Sequence, residues 1–233
     1  MKNILKKSLN TNDLNKLFQA GMLTKRSIHG SLDEEIIREH FSITDIGIKD
    51  NAVIPIPGVT FVFDLEGSSV SIRDRGEQDF IDRFSQMFKS LTNIIYSNNG
   101  IVEKFPGDGI SAHFLQNAEE SFAICRRRAA STANDIQTYM RNQNYSGFRI
   151  SMWSGQSTVA TTIGDENHHE IISIGHGVNV AHKLEKTIKD SGFTVGMDRD
   201  IWFQYKAVTG KAENVRTLPT NLRSATEQYW YGA

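Results

Sequence analysis

The sequence predicts an α+β domain in which a mixed, mostly antiparallel sheet is flanked by helices. Runs of β-branched and aromatic residues, typical of strands, occupy 59–65 and the two arms of a hairpin at 101–105 and 110–114. Apolar residues recur at helical spacing over 75–95 and again over 117–141. Strands and helices that follow one another in this order are typical of an α+β fold.

Later segments continue the same pattern. A left-handed cap is predicted at Asn98-Asn99-Gly100, where the first long helix ends. The remaining predicted elements are a strand at 148–155 with an antiparallel partner at 157–163, a helix face from Val178 to Ile188, a strand at 193–197, a short helix at 198–205 and a last strand at 228–231, with a short apolar stretch at 171–174 before Gly175.

Composition excludes several classes of function. The chain has 233 residues, a formal net charge of -1 and one cysteine, Cys125. Such a charge does not suit a general nucleic-acid coat or a membrane-surface protein, because both need a basic excess. One cysteine excludes an internal disulfide and a cysteine-rich zinc site. Without a signal-peptide pattern or an apolar run of membrane-spanning length, the sequence predicts a cytoplasmic protein.

A domain boundary is predicted near residue 53. Residues 1–53 show short helical patches broken by polar stretches and are interpreted as an N-terminal helical appendage. The segment from Asn51 to Gly58 contains Pro55 and Pro57, which favour an extended linker over a helix or a central strand. The catalytic domain is therefore predicted to cover residues 54–233.

Two aspartates stand at the ends of predicted strands. Asp64 closes an apolar run before Leu-Glu-Gly-Ser-Ser, and Asp108 lies in the Pro-Gly-Asp-Gly turn of the hairpin. Taken singly, the second motif is an ordinary hairpin turn and the first an ordinary helix cap. Taken together, two adjacent carboxylates favour a Mg²⁺ site and phosphate chemistry, since this ion is commonly held by one or two carboxylates plus substrate phosphates.

Four motifs carry a resemblance to a known family. They are Phe-Asp-Leu-Glu-Gly-Ser-Ser at 63–69, Gly-Ile-Val-Glu-Lys-Phe-Pro-Gly-Asp-Gly at 100–109, Phe-Arg-Ile-Ser-Met-Trp-Ser-Gly at 148–155 and Ile-Gly-His-Gly-Val-Asn-Val-Ala-His-Lys-Leu-Glu at 174–185. In this order they resemble the signatures of class III nucleotidyl cyclases. The resemblance implies a ferredoxin-like catalytic domain, a head-to-tail homodimer with composite sites, and conversion of a nucleoside triphosphate to a 3′,5′-cyclic monophosphate and pyrophosphate.

The resemblance also implies roles for individual residues. Two divalent cations, Mg²⁺ or Mn²⁺, are implied at Asp64 and Asp108 with help from the Leu65 backbone carbonyl. Such a pair of ions about 4 Å apart serves both ends of an in-line displacement. The phosphate-binding amides are implied at the start of a helix, in Glu66, Gly67, Ser68 and Ser69.

The transition-state residues lie later in the chain. Asn179 matches the family residue that orients the ribose. Lys183 stands where the family usually has arginine, so a point charge replaces a planar two-pronged donor. Arg223 is the candidate for the family's C-terminal phosphate-binding lysine.

Two positions are implied to read the base. Lys104, four residues before Asp108, matches the family's base-binding lysine, and Ile172 stands where adenylate cyclases usually have Asp or Thr. Because isoleucine cannot pair with the polar edge of a purine, the loss of about 1–3 kcal/mol favours a smaller base. In this respect the chain resembles the pyrimidine cyclases of Pycsar anti-phage systems, whose cyclic UMP or cyclic CMP activates a separate effector. The Lys104 donor favours UTP over CTP.

Three alternatives remain open from the sequence. One is a divergent adenylate cyclase in which Lys104 and backbone groups read adenine. Another is a haloacid-dehalogenase-type phosphatase, whose nucleophile motif resembles Phe-Asp-Leu-Glu-Gly-Ser, although the spacing to Gly-Asp-Gly is too short for that family's intervening α/β core. The third is a catalytically inactive cyclase-like domain that only binds nucleotide, which Lys183 favours and which Asp64 and Asp108 oppose.

Overall fold

The computed structural model describes residues 53–67, 77–116, 120–145, 147–164, 169–191, 193–210, 217–218 and 229–232. Predictions made for the N-terminal appendage up to residue 52, for Ser68 and Ser69, and for Arg223 lie outside these residues. None of the described helices combines the length and apolar character needed to span a membrane.

Ten strands and four helices make up the described fold. The strands are β1 (Val53–Pro55), β2 (Gly58–Leu65), β3 (Ile101–Lys104), β4 (Gly109–Leu115), β5 (Phe148–Gly155), β6 (Val159–Gly164), β7 (His169–Ile174), β8 (Val195–Met197), β9 (Thr217–Leu218) and β10 (Tyr229–Gly232). The helices are α1 (Glu77–Ser97), α2 (Phe122–Asn142), α3 (His176–Ser191) and α4 (Arg199–Thr209).

The strands form two sheets. The main sheet has seven strands in the order β3-β4-β2-β5-β8-β10-β9, and the small sheet has three in the order β1-β6-β7. Within the described residues β5 and β8 pair in parallel, and the other pairs are antiparallel. The prediction of an α+β fold with a mixed, mostly antiparallel sheet is thus confirmed.

One prediction about strand pairing is wrong. The strand after Gly155 was expected to pair with β5, but β6 pairs with β1 and β7 instead. The reason is that β5 already hydrogen-bonds to β2 on one edge and to β8 on the other. The proline-containing segment is extended, as predicted, and it includes β1, an edge strand in which Pro55 is tolerated because an edge leaves backbone groups unpaired.

Helix ends follow local chemistry. Beyond α1, Asn99 has φ 56° and the Gly100 N–H donates to the Ile95 carbonyl at 2.9 Å, which confirms the predicted left-handed cap. In α4 the Asp198 side chain caps the N-terminus by accepting from the Ile201 N–H, and Gly210 at φ 66° ends the helix. α2 begins at Phe122, five residues later than the pattern predicts.

Helices cover the main sheet on both faces. The larger core packs α1, α2 and α4 against one face and contains Phe61, Phe63 and the buried Cys125. On the other face, Val62 and Trp153 pack against Ala181, Leu184 and other apolar residues of α3. Because strand side chains alternate between faces, Asp64 points to the same side as Val62, toward α3.

Candidate active site

The two aspartates of the site meet at one end of the main sheet. β2 pairs with β4 so that Asp64 lies opposite Gly109, the residue that follows Asp108. The Gly109 N–H donates to the Pro106 carbonyl at 3.0 Å, and Gly107 takes φ 61°, which closes the predicted hairpin turn. A Cβ atom on Gly109 would lie 2.7 Å from the Phe63 carbonyl oxygen, so glycine lets the turn press against the end of β2.

A buried arginine holds the acidic groups around this end of the sheet. Arg149 lies opposite Asp64 in the β2–β5 pairing, and its side chain is 6% exposed. Its Nη2 donates to Asp64 Oδ2 at 3.1 Å, its Nε donates to Glu185 Oε1 at 2.8 Å, and its Nη1 lies 3.2 Å from Glu66 Oε2. One planar guanidinium therefore serves three carboxylates.

Asp64 remains short of positive charge despite this arginine. Burial, followed by the negative charges of Glu185 and Asp108, raises its pKa to about 6, and Arg149 only partly opposes the shift. A carboxyl group perturbed by burial and by neighbouring acids is typical of a site that works on a charged ligand. Asp64 and Asp108 are thus close enough for their negative charges to repel each other, which is typical of two carboxylates that bind a cation together.

The donor chemistry suits a hard divalent cation. Asp64 and Asp108 offer carboxylate oxygens, the ligand type that Mg²⁺ prefers. Among the described residues no group of three or more His, Cys, Asp or Glu side chains is arranged to hold a metal by itself. A site of this kind fits Mg²⁺ bound by two carboxylates with substrate phosphates completing the coordination.

The predicted phosphate-binding segment is described only at its start. The Glu66 N–H donates to the Gly147 carbonyl at 2.7 Å, so this amide is not a free donor for phosphate. Glu66 and Gly67 form a turn, with Gly67 at φ 78°. The candidate phosphate cradle therefore begins at Gly67 and continues into residues outside the described ranges.

Asn179 and Lys183 lie one helical turn apart on α3. Both are exposed, whereas the Val178, Val180 and Leu184 side chains on the other side of the helix are buried. Within the described part of the chain, no hydrogen bond or ion pair joins either side chain to Asp64 or Asp108. Their shared orientation follows from the spacing of four residues.

Lys104 and Ile172, the predicted base-contacting positions, are brought together by a residue that sequence reasoning missed. Glu103 lies at a register shift of the β3–β4 ladder, and its side chain is 1% exposed. Its Oε1 accepts hydrogen bonds from the Ser173 N–H at 2.7 Å and the Ser173 hydroxyl at 2.9 Å, and lies 3.9 Å from Lys104 Nζ. The neighbour of Lys104 thus binds the neighbour of Ile172.

The second oxygen of Glu103 faces the main sheet. Oε2 accepts from the Ser111 hydroxyl at 3.0 Å and lies 3.1 Å from His113 Nε2. Burial acts to raise the pKa of Glu103, but the hydrogen bonds and charge of His113 and the bonds from Ser173 outweigh it and lower the pKa to about 2. Glu103 is therefore a buried, ionised and well-bonded carboxylate.

His182 of α3 interacts with two acidic residues, Glu103 and Glu185. Its pKa is lowered chiefly by burial, and it also interacts electrostatically with Glu103, Lys104, His113 and Glu185. Since Glu185 in turn pairs with Arg149, α3 contacts both the acidic groups around Arg149 and the surroundings of Glu103.

Sequence reasoning missed Arg149, Glu185 and Glu103. A usable signal was present for Arg149 and Glu103, because each is a charged residue inside a strand of otherwise apolar character. A charge at such a position is almost never buried without a partner. Glu185 carried no such signal, since an acid on a partly exposed helix is ordinary.

Comparison with solved structures places this fold among nucleotide cyclase catalytic domains. The adenylyl cyclase CyaB from P. aeruginosa superimposes with a TM-score of 0.61 at 14% identity, over 77% of this chain and 95% of that one. The guanylyl cyclase Cya2 gives 0.58 at 18% identity, over 77% and 92%. The dimeric guanylyl cyclase domain of a RhoGC fusion protein from the aquatic fungus Blastocladiella emersonii gives 0.55 at 15%, over 77% and 97%.

These neighbours define the fold as that of class III adenylyl and guanylyl cyclase catalytic domains. No protein-family model and no curated protein sequence matches the chain. The predicted fold class, the cyclase catalytic domain, is confirmed.

Proposed function

We propose that this protein is a metal-dependent nucleotide cyclase. The 3′-hydroxyl of a nucleoside triphosphate loses its proton to water as its oxygen attacks the α-phosphorus. The bond from that phosphorus to the bridging oxygen breaks, and pyrophosphate leaves as the 3′,5′-cyclic monophosphate forms. The observation that carries the proposal is the pairing of Asp64 with Gly109, which sets Asp64 beside Asp108 in a cyclase fold.

Different residues of the chain have different roles in this reaction. Two divalent cations held by Asp64, Asp108 and the Leu65 carbonyl would supply charge neutralisation at the attacking and leaving oxygens. Asn179 hydrogen-bonds to the ribose and orients the 3′-hydroxyl. Lys183 offers a point charge to the transferring phosphoryl group in place of a two-pronged arginine. Phosphate oxygens are bound by the segment from Gly67 to Ser69 and, at the other end of the chain, by Arg223.

The proposed substrate is a pyrimidine nucleoside triphosphate, with UTP favoured over CTP. Ile172 presents an aliphatic side chain where a purine would leave a polar edge unpaired, at a cost of about 1–3 kcal/mol. Lys104 offers donors that suit the carbonyl groups of uracil. The product would then be a second messenger, cyclic UMP or cyclic CMP, for a separate effector in anti-phage signalling.

The proposed active form is a homodimer with two composite sites. The register of the small sheet puts Val53, Ile163, Ile172 and Ile174 on one face, opposite the buried face that contains Ile54, Ala160 and Ile171. Val53, Ile163 and Ile174 are 63%, 53% and 45% exposed. An apolar sheet face of this kind suits a second copy of the chain, which would bring its metal carboxylates to the Asn179 side of the first.

A divergent adenylate cyclase is the second candidate, because CyaB, an adenylyl cyclase, shares the fold. One assay separates the two. The purified protein is incubated with ATP, GTP, CTP or UTP and Mn²⁺, and the products are identified by mass spectrometry. Cyclic UMP as main product is expected; cyclic AMP would overturn the pyrimidine proposal and keep the cyclase, whereas no cyclic product from any triphosphate would overturn the cyclase itself.

Composite sites have a separate test. Mixing inactive Asp64→Ala chains with inactive Asn179→Ala chains should restore activity in the heterodimers, since one of their two sites keeps both residues. Absence of rescue, with heterodimer formation demonstrated by native mass spectrometry, would contradict shared sites.

A further inference from the structure

We infer that Glu103 is a positioning residue that holds Lys104 against β7 and thereby sets the base selectivity of the site. The inference rests on the proposed function, in which Lys104 and residue 172 face the base. It concerns a residue that is itself buried and does not touch the nucleotide.

The two oxygens of Glu103 have separate tasks. Oε1 faces β7, where it accepts from the Ser173 N–H and hydroxyl and lies 3.9 Å from Lys104 Nζ. Oε2 faces the main sheet and is bound by Ser111 and His113. Because Oε2 anchors the carboxylate to the main sheet, Oε1 can hold Lys104 and β7 in a fixed position relative to each other.

Glu103 also joins the two sheets. In the described topology β7 is an edge strand with β6 as its strand neighbour, and the Ser173 N–H points away from β6 to the carboxylate. An edge N–H left unpaired in this buried environment would be costly, so the bond fixes where β7 lies. Because Ile172 precedes Ser173, the same bond fixes the position of residue 172 relative to Lys104.

The charge of Glu103 matters for what Lys104 can bind. With the carboxylate 3.9 Å away, the ammonium is paired and its field is partly cancelled. A phosphate group placed at Lys104 would meet the negative charge of Glu103 as well. A neutral acceptor such as a base carbonyl avoids that repulsion, and the ammonium still has donors to offer it.

A matched pair of substitutions tests the division between the oxygens. Ser173→Ala removes a hydroxyl bond to Oε1 and Ser111→Ala removes one of nearly equal length to Oε2; both serines are buried. Both variants should lose thermal stability to a similar degree. A purely structural Glu103 would make the kinetics of the two variants alike.

If Glu103 positions Lys104 and residue 172, the Ser173→Ala and Ser111→Ala variants should differ in their kinetics. For Ser173→Ala, the ratio of kcat/KM between the preferred triphosphate and the other three should narrow about 5-fold, mainly through KM, because a weakened contact shifts a binding orientation. For Ser111→Ala this ratio should stay within about 2-fold of wild type. Equal changes in the two variants, or an unchanged ratio in Ser173→Ala, would overturn the inference.

A second measurement needs no turnover. Amide hydrogen exchange of Ser173, followed by NMR, should accelerate by about 10-fold or more in Glu103→Ala relative to the neighbouring β7 amides. Unchanged exchange of the Ser173 amide would show that Glu103 does not hold β7 to the main sheet, even if the enzyme is active. If wild type forms no cyclic product while Ser173 exchange does accelerate, the proposed function and the selectivity claim fail and the structural connection stands.

Discussion

Asp64 and Glu103 are carboxylates on the same side of the main sheet, yet their surroundings differ in opposite directions. The Glu103 side chain is 1% exposed and its pKa falls to about 2, whereas that of Asp64 is 28% exposed and its pKa rises to about 6. Glu103 receives bonds from Ser111, His113 and Ser173, while Asp64 shares Arg149 with two other acids.

The difference shows that burial alone does not decide whether an acid is ionised. Donors outweigh burial at Glu103, and neighbouring acids add to burial at Asp64. A satisfied carboxylate stabilises the fold, whereas an unsatisfied one is held ready for a ligand that brings positive charge. The four predictions below test this contrast.

Neutralising Asp64 should remove activity and leave the fold intact. For Asp64→Asn we expect a loss of about 10³-fold in kcat, because charge needed to hold the cations is gone. Product formation is measured by chromatography with Mg²⁺ and with Mn²⁺. Asp82→Asn, which neutralises an exposed acid on α1, is the matched control and should retain full activity. Turnover by Asp64→Asn near the wild-type rate would contradict the metal role.

Removing Glu103 should destabilise the protein more than any change at Asp64. Glu103→Ala leaves the buried Ser111, Ser173 and His113 groups without their acceptor, at an expected cost of about 3 kcal/mol in the free energy of unfolding. Urea denaturation followed by circular dichroism measures it. A cost below about 1 kcal/mol would mean that water or another acceptor replaces the carboxylate.

Asp64→Asn should stabilise the metal-free protein, and the gain should depend on pH. Since the folded pKa of Asp64, about 6, lies above its ordinary value of 3.8, the folded state binds more protons between those values and wild-type stability falls as pH rises through this window. The variant escapes this loss, so its advantage should be near zero at pH 4 and at least about 1 kcal/mol at pH 7.5. Thermal unfolding in chelator checks this, and a pH-independent difference would contradict it.

Glu103 should show the opposite pH trend. Its folded pKa of about 2 lies below the ordinary value of 4.5, so its stabilisation is present above pH 4.5 and is lost as pH falls toward 2. The stability difference between wild type and Glu103→Gln should therefore shrink on acidification, by about 1 kcal/mol between pH 5 and pH 3.5. The same unfolding series run on both variants gives the comparison, and a difference that grows in acid would reverse the assignment.

Much of the fold follows from local sequence. The apolar runs, the helical spacing and the Pro-Gly-Asp-Gly turn predict β2, α1, α3 and the β3–β4 hairpin with few errors. Those features depend on residues close together in the chain. Strand pairing does not, and the neighbours of β6 could not be predicted because they depend on which edges of β5 are free.

The candidate site likewise contains residues that local sequence predicts and residues that it does not. The positions of Asp64 and Asp108 at strand ends are readable from sequence, since apolar runs stop there. The role of Glu103 could not be predicted from sequence. Adjacent side chains of a strand normally point to opposite faces, but the register shift between Val102 and Lys104 interrupts this alternation. The Arg149 contacts join residues as much as 85 positions apart in the chain, a distance that no local pattern spans.

The placement of β2 has a consequence for how the protein folds. This strand comes first among the strands of the main sheet, yet its partners β4 and β5 are made later, and β5 follows the whole of α2. Closing such long loops is slow, and folding rates fall as contacts become more distant in sequence. During synthesis Asp64 can therefore pair with Arg149 only after the α1 and α2 segments have been made, so the cluster of acidic residues around Arg149 is assembled late.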